Sequence, residues 1–86
     1  MAEEKLIGKI THYFTNIGVG VIEITENELK VGDKIHIKGA TSDFEQIVDS
    51  MQIEHENVEV ANKGDAVGLK VEQQVRESDE VFKIAE

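Results

Sequence analysis

Eighty-six residues with neither cysteine nor proline support one domain and one small core, held by packing and hydrogen bonds alone. The missing cysteines exclude disulfide staples and thiolate metal sites. Nine basic and eighteen acidic residues leave a net charge of −9, which repels phosphate backbones and argues against autonomous nonspecific nucleic-acid binding.

Residues 1–4 read as a flexible acidic tail, and a single β-barrel domain is expected over residues 5–86. Met1-Ala2-Glu3-Glu4-Lys5 lacks the basic-then-apolar order of a signal peptide. No apolar run is long enough for a membrane span, so a cytoplasmic chain without membrane contact is expected. Lys5 to Phe14 reads as the first strand. Leu6, Gly8, Ile10, His12 and Phe14 share one face, and Ile7, Lys9, Thr11 and Tyr13 the other. Apolar residues on both faces predict a bulge or burial on each side. Thr15-Asn16-Ile17-Gly18 turns the chain into a second strand, Gly18 to Ile24, closing a hairpin. The parity of that strand slips at Val21-Ile22, which predicts a bulge near Gly20.

Thr25 to Lys30 is a polar connection whose Thr25–Glu28 spacing allows one helical turn at most. A tight turn at Gly32-Asp33 then feeds the alternating strand Asp33 to Gly39. Leu29, Val31, Ile35 and Ile37 are expected in the core, leaving Lys34, His36 and Lys38 to face outward. Ala40-Thr41-Ser42-Asp43 is a loop, and Phe44 to Glu54 a long strand. Val48 is opposite in parity to Met51 and Ile53, so a kink is expected at Asp49-Ser50. Glu56 to Ala61 is a connection anchored by Val58 and Val60. Asn62-Lys63-Gly64-Asp65 repeats the turn chemistry and opens a strand, Ala66 to Glu72, with Val67, Leu69 and Val71 inward. After a polar stretch broken by Val75, Val81 to Ile84 is a short last strand. Six strands with turn signals between them imply an all-β sandwich or small barrel.

Candidate chemistry is sparse. Asn62-Lys63-Gly64-Asp65 matches the guanine-reading pattern of GTPases, but no phosphate-binding glycine loop accompanies it, so the string reads as a turn and no GTP is expected. His12, His36 and His55 have no metal-ligand spacing, and no metal or cofactor is expected. Glu54, Glu56, Glu59 and Asp49 would need a cleft for acid–base work, and a small filled barrel offers little. No serine or threonine sits in a nucleophile elbow. No catalytic residue is therefore assigned. His12-Tyr13-Phe14 is the densest polar–aromatic cluster and could stack a base or a peptide side chain, or place Phe14 in the core with Tyr13 covering the barrel end.

Several segments resemble known families. Ile7-Gly8-Lys9-Ile10, Gly18 to Ile22, Leu29 to Ile35, Ile47 to Ile53 and Lys63 to Leu69 are together similar to the β-barrel second domain of translational GTPases such as elongation factor Tu. Thr11 to Glu23 and Ser50 to His55 more closely resemble the small C-terminal barrel of collagenase-like peptidases and its free-standing single-domain relatives. Some of those peptidase relatives are linked to RNA hydroxylation. The resemblance implies an all-β fold, a closed six-stranded antiparallel barrel of the translation-protein type, without a GTPase or peptidase domain. It implies no activity of its own. The function expected is a non-enzymatic, elongation-factor-like binding module that docks on a protein partner, a translation-related or RNA-modifying enzyme. Direct binding of tRNA or rRNA ends through Lys9, Lys34 or Lys38 is the alternative, disfavoured by net charge, with a small metal-dependent enzyme third. The candidate binding surface is His12, Tyr13 and Asn16 with Lys34, His36 and Lys38.

Overall fold

The computed structural model describes residues 3–40 and 42–85. Met1 and Ala2 of the expected tail, Thr41 of the expected loop and Glu86 lie outside the described residues. The chain forms β1 (Glu3–Phe14), β2 (Val19–Ile24), β3 (Glu28–Lys30), β4 (Lys34–Lys38), β5 (Asp43–Ile47), β6 (Met51–Ile53), β7 (Glu56–Val58), β8 (Val60–Asn62), β9 (Ala66–Lys70) and β10 (Glu80–Ala85). All sheet pairs are antiparallel.

The all-β class is as expected, but the closed six-stranded barrel is not formed. Eight strands make one open sheet in the order β5-β4-β10-β1-β2-β9-β6-β7, and β3 with β8 makes a separate ribbon. β10 lies inside the large sheet, between β4 and β1. The edges are β5 and β7. Closure fails because the chain leaves the sheet after Lys70 and carries no strand again until Glu80. No ladder partner is left for the free side of β5. Side chains cross the seam instead. The Gln46 amide donates to the Lys70 carbonyl (2.9 Å) and its oxygen accepts from the Glu72 N–H (2.9 Å). The Ser42 hydroxyl donates to the Gln74 carbonyl (3.3 Å).

Alternating β-branched residues explain the interior. Ile22 and Ile24 of β2, Ile35 and Ile37 of β4, and Val67 and Leu69 of β9 all point into one core, with Ile7, Ile10, Leu29, Val48, Met51, Ala61, Val75 and Val81. Both faces of the first strand are accommodated by two register shifts in β1, between Leu6 and Gly8 and between Ile10 and His12. The irregularity expected near Gly20 falls on the partner strand: the β1–β2 ladder shifts opposite Val21-Ile22 with the extra residue in β1, while β2 pairs with β9 without a break. Gly20 faces inward beneath Val71 and Val75, while Val19 and Val21 are half-buried on the other face. The kink after Phe44 is real and separates β5 from β6 around Val48-Asp49-Ser50.

Thr25 is followed by no helical turn, and Leu29 is buried in β3 as expected. Three sequence assignments change. Val31 is 39% exposed, because β3 ends at Lys30 and Val31 already belongs to the turn, where strand alternation no longer holds. The anchor of the segment before Asn62 is buried Ala61, with Val60 exposed. Phe14 is 51% exposed and outside the core.

Three turns share one design. Gly32 and Gly64 adopt positive φ, +96° and +95°. In the first, Asp33 accepts the Lys30 N–H through its carboxylate (2.9 Å) and donates its own N–H to the Lys30 carbonyl (3.0 Å). Asp65 does the same with Asn62, at 2.9 Å for each bond. Asp79 does so with Arg76, at 3.0 and 3.1 Å, with Ser78 at φ 75° in the glycine position. Asn62-Lys63-Gly64-Asp65 is thus accounted for as a turn.

Candidate functional site

The alternation of β4 turns Lys34, His36 and Lys38 away from the core. The neighbouring strands place His36 opposite Glu45 of β5 and Phe82 of β10. Phe82 in turn pairs with Leu6 of β1. His36 therefore sits in an outer row across four strands, with only 13% of its side chain exposed. Its Nδ1 lies 2.8 Å from Glu4 Oε1, and its Nε2 lies 2.5 Å from Asp43 Oδ1. Lys34 pairs with Glu45 at 3.3 Å. Lys38 is exposed. One ligand atom each from Glu4, His36 and Glu45 lie within 4.8 Å of one another.

The hydrogen bond to Asp43, then that to Glu4, raises the His36 pKa above its ordinary value of 6.5, against the opposing effect of burial. The same bond to His36 lowers the Asp43 pKa below 3.8. A folded pKa raised above the unfolded one means that protonated His36 stabilises the fold. That contribution is complete below pH 6.5 and is lost as pH rises through the folded pKa. Asp43 contributes in the opposite sense, fully above pH 3.8 and less as pH falls through its folded pKa. Thermal melts from about pH 5 to 9 in metal-free buffer should therefore show the wild type losing stability on the alkaline side more steeply than His36→Phe. Parallel curves for the two chains would contradict this account of the bridge.

The other half of the expected surface lies elsewhere. His12, Tyr13 and Asn16 belong to the β1–β2 hairpin, whose tip is fixed by Phe14 accepting the Ile17 and Gly18 amides (3.3 and 2.9 Å). From Leu6, level with His36, to His12 is six residues of strand, or roughly 20 Å. The structure does not bring the two sets together. At the tip, His12 is exposed with Glu77 3.9 Å away, and Tyr13 packs on the core. The tip carries Phe14, 51% exposed, and Ile17, 63% exposed. Sequence reasoning missed Ile17 because it stands inside a turn signal.

A further concavity of about 600 Å³ is lined by Lys5, Asn27, Glu28, Asn62, Lys63 and Lys83. Three ammonium groups around one groove suit an anionic group, against the sign of the whole chain. Lys83 also holds Asp33, at 3.2 Å. Only folding assembles these lysines, since they come from β1, the turn before β9 and β10. Among the described residues no helix is long and apolar enough to cross a membrane.

No protein-family model matches the chain. It is 42% identical over 81 residues to an uncharacterized protease of Methanocaldococcus jannaschii, covering 93% of this chain and 20% of that protein. It is 35% identical over 82 residues to a collagenase of Porphyromonas gingivalis, covering 94% of this chain and 23% of that one. The chain thus spans about a fifth of the length of the curated relatives it matches. Its fold superposes with a TM-score of 0.85 on a chain described as the C-terminal domain of a U32 peptidase of Geobacillus thermoleovorans, at 18% identity and over 92% and 91% of the two chains. The resemblance to collagenase-like chains is supported. The elongation-factor-like and RNA-related expectation is corrected, since these homologues are named proteases and collagenases.

Proposed function

We propose that the chain is a non-catalytic docking module whose partner is a peptidase of the collagenase-like kind. The relatives carry about four-fifths of their length outside the matched region, which is where such a partner's own chemistry would reside. The observation that carries the reading is the hairpin tip. Two large apolar side chains, Phe14 and Ile17, stand in water on a turn held by two backbone bonds. A rigid apolar knob loses little entropy on binding and suits a pocket on a partner. His12 lies beside Phe14, with ring centroids 6.4 Å apart, and Asn16 stands in the same exposed turn.

The test is co-purification of this chain with a full-length collagenase-like peptidase, quantified by titration. Phe14→Ser combined with Ile17→Ser is expected to weaken binding by about 100-fold or more, as for anchor residues elsewhere. Both side chains are largely exposed, so the melting temperature should barely move. Binding that survives the double substitution, or no binding by the wild type, would refute this reading. A peptidase assay on this chain alone is expected to read zero.

A further inference from the structure

We infer that Glu4, His36 and Glu45 form a site for a first-row divalent metal ion on the outer face of the β1–β10–β4–β5 sheet. The three residues come from β1, β4 and β5, and their ligand atoms already lie within 4.8 Å of one another. A tetrahedral ion bonded at about 2.1 Å holds its ligands roughly 3.4 Å apart, so the side chains need to close by little more than an ångström. Both carboxylates are flexible enough to do so, with side chains 41% and 46% exposed.

The second observation is the orientation of the imidazole. His36 presents Nε2 to Asp43 at 2.5 Å, while Nδ1 faces Glu4. Metal-binding histidines characteristically give their second ring N–H to a carboxylate, which fixes the tautomer and raises the basicity of the ligating nitrogen. Asp43 occupies that supporting place, and Phe82 flanks the ring with its centroid 6.3 Å away. In the structure His36 Nδ1 and Glu4 Oε1 lie 2.8 Å apart. An entering cation would sit between them and bond the imidazole and the two carboxylates, with any proton held there passing to solvent. Glu45 has two oxygens, so one can ligate while the other keeps Lys34.

The donor set selects the ion. One imidazole with two carboxylates favours zinc, cobalt or nickel over calcium or magnesium, which prefer all-oxygen shells. The fourth position is open to water. Such an ion would tie the N-terminal part of β1 to the β4–β5 edge across β10. None of the hairpin residues assigned to docking takes part, so the two proposals stand or fall separately.

Zinc chloride titrated into the full 86-residue chain by calorimetry is the direct experiment. One ion per chain is expected, together with a rise in melting temperature that a chelator reverses. Glu45→Gln removes a ligand without touching the hydrogen bonds of His36, and should weaken zinc binding at least tenfold while the metal-free melting temperature stays close to wild type. Asp43→Asn should weaken it by about 10- to 100-fold through the ring orientation alone. His36→Phe should abolish it, and the ¹⁵N resonance of His36 Nδ1 should move on zinc addition to the wild type. No binding to the wild type, undiminished binding by Glu45→Gln, or binding that survives His36→Phe would each overturn the site.

Discussion

Gln46→Leu is expected to lower the unfolding free energy by about 2–5 kcal/mol, read from the midpoint of urea denaturation. The side chain is 6% exposed and stands where β5 has no neighbouring strand. Its amide satisfies the Lys70 carbonyl and the Glu72 N–H together. Leucine fills similar space but leaves both part-buried backbone groups without their partner, at about 1–3 kcal/mol for each. Gln46→Glu should fall between, because it keeps the acceptor for Glu72 and loses the donor to Lys70. Gln52→Leu is the control: its amide reaches only Asn57 on an exposed surface, and it should cost less than about 0.5 kcal/mol. Equal costs at positions 46 and 52 would mean that the seam is not held by this side chain.

Gly8→Ala is expected to cost about 3 kcal/mol or more, for a steric reason. A methyl group built there would lie 2.2 Å from the Glu23 carbonyl oxygen and 3.1 Å from its carbon. Gly8 sits beside the first register shift of β1, paired with Ile24 on one side and Val81 on the other. The obstruction is backbone in a central ladder, so it cannot swing aside as a side-chain tip would. Gly64→Ala offers the comparison. Nothing lies within 4 Å of its new methyl, and only the positive φ opposes it, at about 1–2 kcal/mol. Chemical denaturation of both variants should rank Gly8→Ala as the more damaging. The reverse order would argue against the close approach of β1 and β2.

The sequence carried most of the strand pattern because alternation is local. Ile35 and Ile37, Val67 and Leu69, and the break at Val48 could each be read from a few neighbours, and each is buried as the pattern implies. What was not legible depends on partners distant in sequence. Leu29 and Ala61 lie in three-residue strands too short to alternate, and they become strands only by pairing with each other. The β6–β7 turn uses Glu54 and His55 at positive φ, 52° and 67°, where glycine or asparagine is the usual signal. The Arg76–Asp79 turn hides likewise behind Ser78. Openness of the sheet was invisible for a related reason. Six alternating segments suit closed and open sheets equally, and the difference lies in residues 71–79 carrying no strand.

The candidate sites show the same division. Lys34, His36 and Lys38 were legible as an outward face, but the carboxylates that surround His36 come from positions 4, 43 and 45. Folding brings Glu4 and His36 together across 32 positions of sequence. At the hairpin, Phe14 reads from sequence more readily as core than as surface, and the second β1 register shift turns it outward instead.

The place of β10 has a consequence for the order in which a newly made chain can complete itself. Translation delivers β1 and β4 well before the strand that lies between them. Until residues 80–85 emerge, β4–β5 and β1–β2–β9–β6–β7 are separate pieces, each with a row of unmatched amides and carbonyls. The two pieces therefore remain adhesive until β10 is made, and its insertion joins them into a single sheet in one event.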